Sequence, residues 1–222
     1  MYTDKIINFK NIIKQKSSYS KTKCFDYAII DNFFDIDFAN KLCKDFPKYD
    51  DPSYKSYKNL IEYKKLNNDW NTFPNSIYYA INILNSDEFV DKIKKIFDIK
   101  ELIVDGGLHG AGLHIHKNGG KLNPHLDYYI HPKLKLTRKL NLIIYLEKLW
   151  KPEYGGHLGF YDNNSSKKPG KLLHEIFPKF NRAVIFDTSQ NSWHGITKLI
   201  KSPKNVYRKH IATYYLTKIN KK

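Results

Sequence analysis

Apolar positions follow two periods along this chain, and the change falls near residue 100. Before that point they recur at helical spacing. Ile6, Phe9 and Ile13 mark a short amphipathic helix. Phe38, Leu42 and Phe46 form an i, i+4, i+8 stripe that predicts a helix over 37–46, ended by Pro47. Two more helices are expected at 74–84 and 87–97, and in the second Phe89, Ile93 and Ile96 or Phe97 share a face. A strand-like run at 25–30 precedes the first stripe. The polar, tyrosine-rich stretch 48–74 shows neither period and is expected to be a long loop with a strand fragment, placed to act as a lid.

Beyond residue 100 the pattern becomes short β-type runs separated by Gly, Pro and Asn. They lie at 102–104, 112–116, 122–129, 139–146, 157–161, 172–177, 183–186, 192–196 and 206–216. Regular short strands of this kind predict a sandwich or barrel. No internal repeat, low-complexity tract or linker breaks the chain. The expectation is one domain over 1–222, mainly β in an α+β arrangement. A helical layer over about 1–100 would support a β core over about 101–217.

Composition changes this picture little. A chain of 222 residues, 41% hydrophobic and 15% aromatic, can bury a sizeable core. Cys24 and Cys43 are too few for a disulfide framework and are expected to be partly buried thiols. There is no apolar signal segment at the start and no run of about 18 apolar residues. The expectation is therefore a soluble, cytoplasmic protein with no membrane partner. The formal charge of +16 raises a nucleic-acid reading. Residues 198–222 carry eight Lys or Arg and no acid, and 133–151 carry six against Glu147 alone. The rest is scattered, without an arginine-rich or aromatic-interleaved signature. A solvated surface is expected, with an acidic partner or the steering of an anionic co-substrate left open. Nothing in the sequence speaks to oligomeric state.

Candidate chemistry centres on Asn123-Pro124-His125-Leu126-Asp127. If this stretch is extended, His125 and Asp127 share a face and Leu126 points away. An imidazole and a carboxylate so placed are two-thirds of a 2-His-1-carboxylate triad, which leaves open positions on Fe(II). The third candidate is His194, 69 residues on, in Ser192-Trp193-His194-Gly195. Taken alone, His125 reads more readily as a chance His-x-Asp and His194 as a core residue beside Trp193. In the last run, alternation puts Arg208, His210, Ala212 and Tyr214 on one face. An arginine pointing into a barrel is costly unless an anion meets it, and its planar fork matches a carboxylate. Arg208 alone could also be a surface cation.

Taken in order, these segments resemble the Fe(II)- and 2-oxoglutarate-dependent oxygenases, in the prolyl 4-hydroxylase-like branch. The matching features begin with His-Leu-Asp at 125–127, Arg138 opening a strand that ends at Leu146, and Trp150. They continue with the Gly155-Gly156 turn into Leu158, the run from Arg182 to Asp187, Trp193-His194-Gly195, and the Arg208…Tyr214-Tyr215 strand. The resemblance covers roughly 101–217, and 25–47 also looks like the N-terminal part of such enzymes. It implies a double-stranded β-helix, a jelly-roll or cupin-like core, with supporting N-terminal helices. It implies Fe(II) on His125, Asp127 and His194, and 2-oxoglutarate anchored by Arg208. Around that co-substrate it places Tyr145, His116, Asn141 and Leu158, with the Leu142, Ile144 and Leu146 face turned out onto the helices. O2 is the further co-substrate, and ascorbate an accessory reductant.

The implied reaction hydroxylates a substrate carbon, a prolyl or other protein side chain, and releases succinate and CO2. Three alternatives stand beside it. They are the same chemistry on a small molecule or sugar precursor, a basic nucleic-acid-associated jelly roll without catalysis, and a zinc or nickel jelly roll without a co-substrate. Some relatives use a lysine ten residues after the distal histidine, here Lys204, but it follows Pro203 in a loop-like stretch. His114, on the same face as His116, is a candidate neighbour of the site. His131, His157, His174, Glu175 and Asp187 are expected to be structural or surface residues. Substrate identity would depend on 48–74 and 162–171.

Overall fold

Helices form where the 3.6 period runs, and each is stopped by local chemistry. A computed structural model describes residues 3–19 and 24–219. Two short helices, α1 (Phe9–Ile13) and α2 (Lys16–Tyr19), replace the single N-terminal helix expected. β1 (Tyr27–Ile30) leads into α3 (Ile36–Asp45), whose first turn is closed by the Asp35 carboxylate accepting from the amides of Asp37 and Phe38. β2 (Lys55–Lys58) and β3 (Glu62–Asn67) form a hairpin. α4 (Asn75–Leu84) and α5 (Asp87–Phe97) follow as expected. In α5 the Ser86 hydroxyl caps the Phe89 amide, Asp87 and Glu88 occupy the first turn, and Asp98 ends it in a left-handed conformation.

The remaining chain is β structure: β4 (Ile103–Val104), β5 (Gly112–His116), β6 (Lys121–Leu122), β7 (Thr137–Tyr145), β8 (Leu158–Tyr161), β9 (Leu172–Ile176), β10 (Ala183–Asp187), β11 (His194–Ile196) and β12 (Arg208–Thr217). The large sheet runs β1-β10-β7-β12-β5-β3-β2, with β4 beside β12 and β6 beside β3. A small sheet runs β11-β8-β9. The strand pairs in both are antiparallel. Alternation splits the large sheet cleanly. Leu140, Leu142, Ile144 and Ile211 face outward and pack with Ile77, Ile81, Leu84, Phe89 and Ile93 of the helices. Ile143, Tyr145, Val184, Phe186 and Ala212 face inward and meet Leu158, Phe160 and Ile176 of the small sheet. Two facing sheets closed over this inner cluster are the double-stranded β-helix implied by the sequence. Each buried Leu, Ile or Phe contributes about 1.5–3 kcal/mol.

Two expectations change. Residues 48–74 are not an open loop, because β2 and β3 extend the large sheet to its edge. Their lysines and tyrosines leave the inner and outer faces equally polar, so no amphipathic period appears. The run 122–129 is laddered only at β6. Beyond Pro124, which has no amide to donate, its backbone meets the small sheet through the His125–His194 bridge. His131 lies in the loop before a turn, as a structural residue. It is buried, its Nε2 lies 3.4 Å from Asp105 Oδ2, and its Nδ1 accepts from the amides of Lys133 and Leu134.

The N-terminal layer is tied to the barrel by polar groups as well as apolar ones. Buried Asn181 accepts the Phe34 amide at 2.9 Å and donates to the Phe34 carbonyl at 2.8 Å. Its backbone carbonyl accepts from Phe33, and its amide donates to Tyr145. Next to it, Arg182 forks onto Asp31 at 2.6 and 3.0 Å. Removing the Asn181 amide strands both buried groups of Phe34. We expect Asn181→Ala to lower stability by about 2–4 kcal/mol in urea unfolding, whereas Lys179→Ala, at an exposed position beside it, changes stability by less than about 0.5 kcal/mol.

Candidate active site

His125, Asp127 and His194 converge between the two sheets. One ligand atom from each lies within 4.8 Å of the others. Asp127 Oδ1 is 3.9 Å from His125 Nε2, Oδ2 is 3.8 Å from His194 Nε2, and the imidazole centroids are 4.4 Å apart. Each histidine is oriented by the backbone two residues before it. His125 Nδ1 donates to the Asn123 carbonyl at 2.9 Å, and His194 Nδ1 to the Ser192 carbonyl at 2.8 Å. A carbonyl can only accept, so the proton sits on Nδ1 and both Nε2 lone pairs are left for a metal. Burial, and then the neighbouring His125, push His194 down to about 4, so it is neutral and ready to coordinate at neutral pH.

The close approach of these ligands depends on Gly195. A Cβ there would meet the Leu122 carbonyl and the Pro124 nitrogen at 2.8 Å. The missing side chain lets 122–125 lie against β11.

Asp127 is buried, which by itself would raise its pKa. The opposing effects of His194, His125 and Arg138 and a hydrogen bond from Tyr214 outweigh burial and hold it below the ordinary carboxylate range. Tyr214 Oη donates to Oδ1 at 2.8 Å, Asn141 Nδ2 approaches Oδ2 at 3.3 Å, and Arg138 Nη1 stands 3.9 Å from Oδ1. Arg138 in turn lies over the Tyr214 ring at 3.9 Å and donates to the His109 carbonyl at 2.6 Å.

At the other end of the inner face lies Arg208, 4% exposed. Its Nε donates to the Gly156 carbonyl at 2.7 Å, Nη2 to Tyr145 Oη at 3.2 Å, and Nη1 to His210 Nδ1 at 3.3 Å. Gly156 makes room for it, since a Cβ there would sit 2.9 Å from Arg208 Cδ. Among the described residues no carboxylate lies within 4.0 Å of its guanidinium. Burial lowers Arg208 from its usual value, and only Tyr145 opposes that. His114, His116 and His210 are stacked beside it, with ring centroids at 4.7 and 5.9 Å. All three are buried, and burial holds each well below the ordinary histidine range. Both nitrogens of His116, His114 Nε2 and Asn141 Oδ1 have no hydrogen-bond partner. Lys204, by contrast, sits exposed in the turn before β12.

The residues picked out from the sequence are thus found on the inner side, with Leu158 and Tyr145 in its apolar cluster. Asn141 meets Asp127 rather than the Arg208 end. Tyr214, His210 and Arg138 were not assigned roles. Strand alternation with Arg208 points to the first two. Arg138 was hidden by a bulge, because the register of β12 against β7 slips at Lys139 and turns Arg138 to the inner side.

A model of the 2OG-Fe(II) oxygenase superfamily matches residues 111–217, the stretch that holds both ligand histidines, Asp127 and Arg208. That stretch, just under half of the chain, carries the pattern of the superfamily. Curated and solved proteins are similar to it as well. The mouse (Mus musculus) prolyl 3-hydroxylase OGFOD1 is 29% identical over 63 residues, a match spanning 28% of this chain and 12% of the mouse protein. A Pseudomonas putida prolyl-4-hydroxylase superposes with a TM-score of 0.63 at 14% identity, covering 94% of this chain and 98% of that one. A Trichoplax adhaerens prolyl hydroxylase, solved with a hypoxia inducible factor peptide fragment, gives 0.63 at 16% identity, covering 94% and 92%. Members of the superfamily use Fe(II), 2-oxoglutarate and O2, and the donor set of this site fits them. Two tautomer-fixed imidazoles and a carboxylate suit Fe(II), and a buried guanidinium without a counter-ion suits a dicarboxylate. No helix among the described residues is long and apolar enough to cross a membrane.

Widening the approach of the ligand segments should weaken metal binding without removing a ligand. Gly195→Ala is expected to lower Fe(II) affinity at least tenfold in anaerobic calorimetry, while Gly106→Ala, whose Cβ would meet nothing within 4 Å, leaves it unchanged.

Proposed function

We propose that this protein is a 2-oxoglutarate-dependent dioxygenase that hydroxylates a prolyl or other side chain of a protein or peptide. His125, Asp127 and His194 would hold Fe(II). Arg208 and Tyr145 would hold the distal carboxylate of 2-oxoglutarate, with His116 and Leu158 beside it. The observation that carries the reading is the pairing of two incomplete features on one inner face: three ligand atoms within 4.8 Å of one another, and a buried guanidinium with no carboxylate within 4.0 Å among the described residues. The substrate class is supported by the prolyl hydroxylases among its relatives and structural neighbours.

When bound, iron and the keto acid supply the oxidative chemistry, in which O2 is divided between succinate and a hydroxyl group on the substrate carbon. The protein's own residues prepare the cavity for this. The Asn123 and Ser192 carbonyls fix both imidazoles in the ligating tautomer. Tyr214 and Arg138 keep Asp127 ionised and in one rotamer. Ile143, Val184, Phe186 and Ala212 make the inner wall dry, so charge attraction at Arg208 is strong. No side chain is asked to move a proton, and the carboxylate of the cluster among the described residues, Asp127, is a candidate metal ligand.

The test is succinate release from 2-oxoglutarate after anaerobic loading with Fe(II) and admission of air. Wild type should release succinate, and His194→Ala should abolish the signal together with metal binding. Arg208→Ala should raise KM for 2-oxoglutarate at least tenfold while metal affinity is retained. Lys204→Ala should leave both unchanged. Absence of iron-dependent succinate from wild type would sink the reading.

A further inference from the structure

Charge is not spread evenly over this molecule. Segments 55–65, 117–139 and 198–209 together hold fifteen of the 38 Lys and Arg residues and only two carboxylates, Glu62 and Asp127. Segments 24–54 and 68–105, which build β1 and the helical layer, hold fourteen carboxylates against seven lysines. The three basic segments are neighbours, and they adjoin the candidate metal ligands. The Asn123 amide donates to the Ile61 carbonyl, and Lys121 Nζ and Asn123 Nδ2 donate to the Leu60 carbonyl, so the β2–β3 tip borders the residues leading to His125. The Gly119 amide donates to the Ile200 carbonyl, which joins the second segment to the third. Residues 128–139 continue directly from Asp127. Among the described residues, Lys58, Lys65, Lys117, Lys121, Lys201 and Lys204 have no carboxylate within 4.0 Å.

A basic rim of this kind suits a polyanion, and its chemistry selects among polyanions. Single-stranded nucleic acid is held by open aromatic faces and by arginine forks on phosphate. Around the β2–β3 hairpin the tyrosine faces are already used. Tyr49 stacks on Tyr207 at 5.1 Å, with Lys65 and Lys117 at 4.4 and 5.3 Å, and Tyr63 meets Lys58 and Lys117. The two arginines of these segments, Arg138 and Arg208, are buried and point inward. What remains outside is lysine, a point charge suited to steering carboxylates, interrupted by the exposed apolar side chains of Leu60, Tyr128 and Tyr129. Such a mixture fits a polypeptide.

We propose that the rim recruits an acidic polypeptide segment, so that the hydroxylated residue lies in a sequence flanked by Asp or Glu. This rests on the dioxygenase reading above and narrows its substrate. Long-range attraction acts mainly on encounter and fades with salt.

The experiment compares three prolyl peptides of one length, flanked by Glu, Gln or Lys, with the iron-loaded enzyme. Peptide hydroxylation is read by mass spectrometry, succinate is read in parallel, and binding is followed by fluorescence anisotropy beside an oligouridine probe. The Glu peptide should show kcat/KM at least tenfold above the Gln peptide at low salt, and that ratio should fall as salt rises. The triple variant Lys58→Glu, Lys117→Glu, Lys121→Glu should remove most of the advantage and leave peptide-free succinate release unchanged. Circular dichroism and retained succinate release report whether the variant folds. Equal rates on the Glu and Gln peptides overturn the proposal, as does tighter binding of oligouridine than of the Glu peptide. A loss confined to KM for 2-oxoglutarate also overturns it, since the rim would then serve the co-substrate. Iron-dependent succinate with no hydroxylation of any peptide counts instead against the protein-substrate reading itself, and loss of succinate from wild type against the oxygenase reading.

Discussion

A guanidinium buried without a carboxylate is the constraint around which the inner face of this barrel is arranged. Moving such a cation out of water costs several kcal/mol unless dipoles or a counter-ion replace its hydration. The protein supplies dipoles only: the Gly156 carbonyl, the Tyr145 hydroxyl and the Nδ1 lone pair of His210. Each comes from a different part of the chain, and each demands something of it. Position 156 must be glycine, the β7 alternation must turn Tyr145 inward, and β12 must carry His210 two residues beyond Arg208. Neutral imidazoles are the affordable neighbours here, because any further positive charge would compound the cost. The desolvated, unprotonated state of His114, His116 and His210 follows from the same balance.

At the far end the problem is inverted. Asp127 is a buried anion, and the structure surrounds it with Arg138, the Tyr214 hydroxyl and two imidazoles before any metal is considered. The two ends are therefore electrostatically opposite and separated by an apolar wall. A dicarboxylate that reaches a cation near Asp127 and Arg208 at once would complete both. Arg138 ties this end to the outer loops, because the carbonyl it meets belongs to His109, whose amide is held by Asp105 beside buried His131.

Much of this was legible in the sequence, and the parts that were not share a cause. Alternation along 139–146 separated the Leu142 and Ile144 face from the Ile143 and Tyr145 face correctly, since a strand buried on both sides still keeps period 2. The helices 74–84 and 87–97 were readable, the second from the face shared by Phe89, Ile93 and Ile96 or Phe97. The β2–β3 hairpin was not, because an edge strand with polar residues on both faces has no amphipathic signal. Arg138 escaped because one bulged residue, Lys139, reverses the parity on which face assignment depends. His125 and Asp127 do converge, but a bridge to His194 and the close approach allowed by Gly195 place them, rather than the regular strand expected over 122–129. Such tertiary devices leave little trace in a local pattern.

The separation of charge across the molecule has a structural origin on one side only. Acidic residues of the helical layer are engaged locally: Asp35 and Asp69 cap helical turns, Asp31 binds Arg182, Asp45 accepts from Ser76, and Glu88 pairs with Lys92. Held there, they cannot reach across to offset the lysines of the opposite face. On the β2 edge, lysine also discourages pairing with another chain, a folding role that needs no ligand. That role does not extend to Lys117, Lys121, Lys201 and Lys204, which lie off the β2 edge. An edge-protection account therefore covers the hairpin and leaves the rest of the basic rim to be explained by what approaches the cavity.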